Sequence, residues 1–492
     1  MNNKVTIHRL ATGVPGLDAI LGGGLPEYSF NMIVGTPGSG KTTLAHQIMF
    51  SLATPERPAL FFTVLGEPPL KMLRYQQQFS FFDAAKINSS IRFVNLSDDV
   101  SIGSFQQVLA RITAEVEEFS PALVFVDSFR SVMLEAGRHE QGMLNLQQFI
   151  QQLGVYLTGW QATTFLIGEY DSDSEPPPIF TVADGLLSLE QTISRNSMVR
   201  KLQILKMRGQ ATRPGRHTFR ITGEGIEVFA AAIVRDDSSR PHEAAEPQIS
   251  KARLTMGVPE LDKMLGGGLP TGYSMLVAGP SGSGKTILAT AFLSEGVRLG
   301  EPGIIVAFEQ TPSQSRTRTI DDMVRTGRLG LINTRALDLS IDEIVQRLVD
   351  LIHEMKATRV VIDSLSGFEL AVAPSFREDF RESLFRMVAV LSGLGVTVLM
   401  TSELEDRYTD LRFSPYGSAF LTDAIIVQRY IEIDSRLKRV MAVVKVRSSA
   451  HCDELRQYEI IDGDIVIGSP VGDYEGILGG RPTQTVALDL SE

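Results

Sequence analysis

A single cysteine, Cys452, stands among 492 residues. One thiol closes no intramolecular disulfide and builds no multi-cysteine zinc module, and it fits a reducing compartment. Long apolar runs are also missing. A membrane span needs roughly 18 apolar residues, and the best stretch, Met387 to Met400, is broken by Ser392, Gly393, Gly395 and Thr397. The opening Met1-Asn2-Asn3-Lys4 lacks the apolar core of a signal peptide. Positive charge is in short supply: 47 Lys and Arg against 58 Asp and Glu give a net charge of −11. That balance argues against a general nucleic-acid coat or a basic membrane-surface protein, and leaves room only for a local basic channel. With 43% hydrophobic and 21% charged residues the chain is globular. At roughly 100–200 residues per domain its length allows two to four domains. A soluble, cytoplasmic protein is expected.

What is present is present twice. Residues 12–26 read TGVPGLDAILGGGLP and residues 256–270 read MGVPELDKMLGGGLP, 244 positions later. The same offset relates GTPGSGKTT (35–43) to GPSGSGKTI (279–287). Further on, ALVFVDSF (122–129) answers RVVIDSLS (359–366) and ILKMRG (204–209) answers VVKVRS (443–448), with offsets of 236 and 239 at Asp127 and Lys206. Four blocks in one order mark a duplicated domain of about 240 residues, too long for a solenoid unit. The expected division is 1–235 for the first copy, 236–250 for a linker, 251–467 for the second copy and 468–492 for a glycine-bearing loop and tail. The linker carries the polar, proline-bearing run 236–247 (DDSSRPHEAAEP). A similar tract, 171–178 (DSDSEPPP), reads as a loop inside the first copy.

Within each copy short apolar runs alternate with longer stretches of helical period. In the second copy residues 274–278, 303–308, 359–363 and 396–401 read as buried strands, and residues 341–356 and 376–392 as helices. Such alternation predicts an α/β fold with a mostly parallel sheet flanked by helices. Toward the end of the copy, 424–433, 440–446 and 454–461 follow without helices and predict an antiparallel extension.

Both Gly35-Thr36-Pro37-Gly38-Ser39-Gly40-Lys41-Thr42 and Gly279-Pro280-Ser281-Gly282-Ser283-Gly284-Lys285-Thr286 satisfy G-x-x-x-x-G-K-[ST], with Thr43 and Ile287 next in line. The glycines let backbone N–H groups converge on phosphates, and the helix that follows adds its positive end. Lys41 and Lys285 would reach the β- and γ-phosphates of ATP, and Thr42 and Thr286 would hold Mg²⁺. Asp127 and Asp363 each end an apolar strand, where a carboxylate can sit beside the metal's water shell; Ser128 and Ser364 follow, so an ordinary helix cap is the competing assignment. Hydrolysis also needs a carboxylate to orient the attacking water. Glu309 ends the strand 303–308 where one is required, with Gln310 behind it. The first copy has Leu65-Gly66 at that offset and Glu67 one step later. Either Glu67 serves through a shifted loop, or the first site binds ATP and hydrolyses it poorly.

The paired lead-ins GVPxLD…LGGGLP, the twin phosphate loops and the K-x-R near each copy's end resemble the KaiC family of RecA-like ATPases, over roughly residues 7–482. The resemblance implies two tandem RecA-like P-loop NTPase domains and a two-tiered homohexamer with ATP between neighbouring subunits. In such assemblies the first ring is an ATPase and the second an autokinase and phosphatase of cyanobacterial clocks. It implies that Lys206 and Arg208, and Lys445 and Arg447, cross to the neighbour's nucleotide, where a cation supplied in trans stabilises the transferring phosphate. Two departures stand out. The Ser and Thr phosphoacceptor positions fall on Ala419 and Phe420 in GSAFLTD (417–423), neither with a hydroxyl; Ser418 and Ser414 are displaced. The first-copy carboxylate is the other. With the protein hydroxyl gone and Glu309 retained, water is the remaining nucleophile, so hydrolysis is expected to shift to the second copy. By analogy with the family a KaiB-type partner would dock on the first ring. The tail after residue 482 is too short and acidic to suggest a KaiA-type activator.

Two other readings compete. A RecA-like nucleic-acid motor would use the same loops, but the net charge and the lack of a basic stripe interleaved with aromatics weigh against it. An ATP-gated scaffold with little catalysis would differ only in what turnover accomplishes. Trp160, Gln76–Gln78 and Gln151-Gln152 read as packing and surface, and His451 with Cys452 as structural rather than metal-binding.

Overall fold

The computed structural model describes residues 7–63, 69–96, 105–127, 142–170, 178–194, 197–230, 252–308, 318–333, 340–372, 380–404, 421–433, 435–472, 474–475 and 483–484. The chain divides into two compact units, Met1–Ala231 and Ala232–Glu492. The polar run 236–247 and residues 171–177 lie outside the described residues.

Each unit is built on one nine-stranded sheet. In the first, the strands run in the order Gly225–Phe229, Arg216–Thr222, Ser197–Met207, Gly185–Ser194, Phe30–Gly35, Thr163–Glu169, Leu123–Asp127, Ala59–Thr63, Ile91–Asn95. The last six are parallel and the first three form an antiparallel extension. The second unit has the same arrangement from Asp464–Pro470 through Arg456–Ile461, Arg436–Val446, Ala424–Ile433, Ser274–Gly279, Thr397–Glu403, Arg359–Asp363 and Gly303–Ala307 to Leu329–Asn333. The expected α/β fold, two tandem domains of mostly parallel sheet flanked by helices, is therefore the observed one.

The strands are apolar on both sides because helices cover both faces. Period-two alternation sorts them into two cores. Ile33, Phe61, Phe125 and Phe165 face one core of the first unit, while Met32, Val34, Leu60, Phe62, Val124 and Val126 face the other. In the second unit Met275, Val277, Ile305, Val361 and Leu399 face one side, and Leu276, Ala278, Ile304, Val306, Val360 and Ile362 the other. The first unit fills its core with stacked rings: Phe61 lies 6.1 Å from Phe125, and Phe125 4.7 Å from Phe165. The second uses branched aliphatics at those places.

Some boundaries differ from the pattern in the sequence. Ala424–Ile433 is parallel to Ser274–Gly279 on one side and antiparallel to Arg436–Val446 on the other, so it is the hinge into the extension rather than part of it. The first strand of the extension proper begins at Arg436, ahead of residue 440. The helix expected over 376–392 is described from Phe380 to Gly393. A further edge strand, Asp464–Pro470, pairs with Arg456–Ile461 and continues past residue 467. Beyond it Tyr474–Glu475 pairs with Thr483–Gln484.

The repeated lead-in has a local reason for its aspartate. Asp18 accepts the backbone N–H of Thr12 at 2.9 Å, and Asp262 that of Met256 at 2.8 Å. This closes the turn in which Gly13 (φ 70°) and Gly257 (φ 78°) adopt left-handed conformations. Among the described residues no helix is long and apolar enough to cross a membrane.

Candidate functional site

In each unit the central parallel strand ends in a glycine-rich turn that runs directly into a helix, Lys41–Leu52 or Lys285–Arg298. The turn lies at the carboxyl ends of the parallel strands, where open α/β sheets bind ligands. Gly40 (φ 102°) and Gly284 (φ 100°) hold the residue ahead of each helix in a conformation that L side chains rarely adopt. The helix N–H groups at this end have no intrahelical acceptors and carry the positive end of the dipole.

The lysines fold back over their loops. Lys41 Nζ donates to the carbonyls of Gly35 (3.0 Å) and Thr36 (2.8 Å). Lys285 Nζ donates to those of Gly279 (2.8 Å) and Pro280 (2.7 Å). Burial lowers the pKa of Lys285, opposed by the nearby carboxylates of Glu403 and Asp363. A cation already seated over the loop, beside orphaned N–H groups, suits a polyphosphate.

The threonine that follows each lysine meets the predicted aspartate. Thr42 Oγ1 donates to Asp127 Oδ2 at 2.7 Å, and Thr286 Oγ1 to Asp363 Oδ2 at 2.8 Å. Hydroxyl and carboxylate together are hard oxygen ligands of the kind Mg²⁺ takes, so this pair could hold it. The helix-cap assignment goes to the next residue instead: Ser364 Oγ accepts the N–H of Gly367 at 3.2 Å, while Asp363 faces the loop. Ser128 lies outside the described residues.

The two aspartates differ. Asp363 also accepts the hydroxyl of Thr401, whereas Asp127 pairs in register with Ile167 and has no second hydroxyl from that strand. Burial pushes the Asp127 carboxyl up to about 6, against the hydrogen bond from Thr42 and the charge of Lys41. Thr401 was legible only as one of several polar residues in the strand Thr397–Glu403.

The K-x-R residues sit at the far end of the first extension strand, behind a β-bulge that occurs in both units. The ladder skips one residue between the partners Leu186 and Leu187, and again between Ile425 and Ile426. The skipped residues are Leu205 and Val444, both exposed, and each immediately precedes its lysine. A bulge of this kind re-aims the side chains beyond it. Lys206 Nζ donates to the carbonyl of Thr181 (3.1 Å), and Lys445 Nζ to that of Thr422 (2.7 Å). Burial and the neighbouring arginine lower both lysine pKa values, the partly offsetting charge being Asp184 or Asp423.

Asp184 and Asp423 themselves escaped the sequence patterns. Asp184 pairs with Arg208 at 3.1 Å and accepts the N–H of Phe30 at 3.0 Å. Asp423 pairs with Arg447 at 3.2 Å and accepts the N–H of Ser274 at 3.0 Å. One carboxylate thus ties each K-x-R arginine to the first residue of the phosphate-loop strand, Phe30 or Ser274. The signal was the Asp that follows residues 183 and 422 in both copies, visible only once the copies are aligned at an offset of 239.

Glu67 and Glu309 lie outside the described residues, as do Leu65, Gly66, Gln310, Ser414, Ser418, Ala419 and Phe420. Among the described residues no group of His, Cys, Asp and Glu forms a metal cluster. His451 Nδ1 lies 3.5 Å from the carbonyl of Ser449, and Cys452 packs against the second core.

Comparison with known proteins locates the same two copies. The family model for the KaiC ATPase matches residues 10–233 and again 254–471. The chain is 27% identical to the circadian clock oscillator protein KaiC of Picosynechococcus sp., over 99% of this chain and 94% of that protein. It is also 27% identical to its namesake from Rippkaea orientalis, over 100% of this chain and 94% of that protein. The circadian clock protein KaiC3 of Synechocystis sp. matches at 27% over 98% of this chain and 96% of its own length.

Proposed function

The chain belongs to the KaiC family of ATPases, and from that premise we propose that it binds ATP at both phosphate loops and hydrolyses it mainly at the second. The observation that carries this reading is the repeated constellation of loop lysine, threonine and buried aspartate: Lys41, Thr42 and Asp127, then Lys285, Thr286 and Asp363. Residues 35–43 and 279–287 cradle the phosphates through backbone N–H groups. Lys41 and Lys285 exchange their loop carbonyls for phosphate oxygens. The two threonine–aspartate pairs hold Mg²⁺, which when bound with ATP neutralises phosphate charge.

Glu309 is assigned the role of orienting water in the second copy. Leu65-Gly66 at the matching offset leaves the first copy with Glu67 alone, displaced by one residue. Lys206, Arg208, Lys445 and Arg447 act in trans, across the interfaces of a double-ring homohexamer; the ion pairs of Arg208 with Asp184 and of Arg447 with Asp423 hold the two arginines in place until a neighbour arrives. With Ala419 and Phe420 at the acceptor positions, turnover releases phosphate to water rather than storing it on the protein. The assembly then works in the cytoplasm as a nucleotide-gated timer or signalling switch, with a KaiB-like protein as the partner that would read its first ring.

Intact-mass measurement after incubation with ATP and Mg²⁺, alongside phosphate release, tests this. Free phosphate should accumulate with no added mass on the chain. Phosphorylated protein with little free phosphate would overturn it.

A further inference from the structure

The two phosphate loops are built alike but braced differently. In both units the antiparallel extension packs against the loop. A Cβ placed at Gly40 would come 2.7 Å from Ile221 Cδ1, and one at Gly284 3.1 Å from Ile460 Cδ1. The polar contacts that accompany this packing are not shared. In the first unit Gln47, in the helix beyond the loop, grips the main chain of Ile226: its Nε2 donates to the carbonyl at 3.1 Å and its Oε1 accepts the N–H at 2.6 Å. The second copy has Ala291 at that position, 244 residues on, and an alanine makes no such clamp.

Instead, the second loop itself is held. Tyr458 donates its hydroxyl to the main-chain carbonyl of Ser283, and the Ser283 hydroxyl donates to Gln428 Oε1 at 3.0 Å. All three side chains are buried, with Tyr458 1% and Gln428 0% exposed. Burial raises the pKa of the Tyr458 phenol, so it keeps the proton it donates. Ser283 lies between Gly282 (φ 75°) and Gly284 (φ 100°), the two residues most free to turn. A bond to its carbonyl and another to its side chain therefore fix the segment whose N–H groups face the phosphates. In the first unit the matching positions hold Phe219 and Leu189, and the buried hydroxyl of Ser39 has no hydrogen-bond partner among the described residues.

We infer that Tyr458 and Gln428 are positioning residues of the second phosphate loop, holding Ser283 by main chain and side chain in a brace that the first loop lacks. The inference rests on the reading that these loops bind ATP. Its consequence is a preorganised second site: the free energy of ordering the loop is met on folding and not on nucleotide binding. Because Tyr458 pairs in register with Arg439 on the strand that carries Lys445, the brace also ties the loop to the strand carrying a proposed trans cation.

The test is Tyr458→Phe, which removes one hydroxyl and leaves the ring, with Ser283→Ala as a second variant on the other bond. A fluorescent ATP analogue titrated into the Lys41→Ala chain reports the second loop directly. Loss of one buried hydrogen bond should weaken that binding roughly two- to ten-fold for either variant. In the otherwise unaltered chain KM should rise by a similar factor with kcat retained, the mark of lost uniform binding. A merely structural defect would reduce kcat through the inactive fraction and leave KM alone. Conversely, Phe219→Tyr in the Lys285→Ala chain should tighten the first loop. Unchanged analogue binding in both Tyr458→Phe and Ser283→Ala would overturn the brace while leaving the ATPase reading intact. Binding that survives in the Lys41→Ala/Lys285→Ala chain would remove the premise, and the brace with it.

Discussion

His46 shows how much a single buried position can differ between the copies. It lies in the helix after the first phosphate loop, is 0% exposed, and rests against Phe61 at 4.7 Å. Neither ring nitrogen has a hydrogen-bond partner among the described residues, although Gln76 is near enough to pull its pKa slightly upward. Burial dominates and lowers the pKa from 6.5 to about 4. The unfolded chain therefore takes up a proton at higher pH than the folded one. The sign follows: full stability above pH 6.5, progressive loss between 6.5 and about 4, and no further loss below. Across that window the penalty is on the order of 3 kcal/mol. Urea midpoints of the parent and of His46→Phe, measured from pH 7.5 to 4, check this, since their difference cancels every other titrating group. The first unit of the parent should lose stability relative to the variant as pH falls. Thr290 holds the matching place in the second copy, so the second unit should show no such difference.

At the scale of elements, Arg359 stitches three pieces of the second unit together from the start of its strand. It is fully buried. Its Nε donates to Glu301 at 2.8 Å, and its Nη1 to the carbonyls of Thr255 in the lead-in (2.7 Å) and Phe292 in the phosphate-loop helix (3.0 Å). The guanidinium also lies 4.6 Å from the centre of the Phe292 ring. The first copy has Leu123 at that place, 236 residues earlier. Arg359→Leu keeps the volume but strands two carbonyls, which should destabilise the second unit by about 2–4 kcal/mol. Glu301 is half-buried and can rehydrate, which keeps the cost below that of breaking a fully buried pair. Chemical denaturation followed by a probe in each unit should show the second transition move and the first stay.

This is also the scale at which sequence and structure part company. The phosphate-loop strands and helices were legible because glycines, a lysine and apolar runs recur at fixed spacing. Arg359 was visible only as the first letter of an apolar run, since a residue's pairing partners in three other segments leave no periodic trace. The bulges at Leu205 and Val444 were equally hidden. One extra residue in a ladder changes which face each side chain takes without changing composition. Ala424–Ile433 read as part of the antiparallel extension because its β-branched content says nothing about the direction of its neighbours. The Asp184 and Asp423 ties needed both the fold and the alignment of the copies.

For the whole molecule, duplication without equivalence is the dominant fact. Each unit repeats the same sheet order, the same lysine–threonine–aspartate set and the same bulge before the K-x-R cations. The differences gather around the phosphate loops: a second hydroxyl on Asp363, a brace on Ser283, a clamp at Gln47 instead, and a glutamate at 309 where the first copy has leucine and glycine at 65–66. On our account the first unit holds ATP and supports assembly, and the second turns it over. Steady-state phosphate release by Glu309→Gln, set beside Glu67→Gln and Lys41→Ala, tests this most directly. Turnover should nearly vanish in Glu309→Gln, by roughly two orders of magnitude or more, and survive in Glu67→Gln. Loss of most phosphate release in Glu67→Gln or Lys41→Ala, with Glu309→Gln still active, would contradict the assignment.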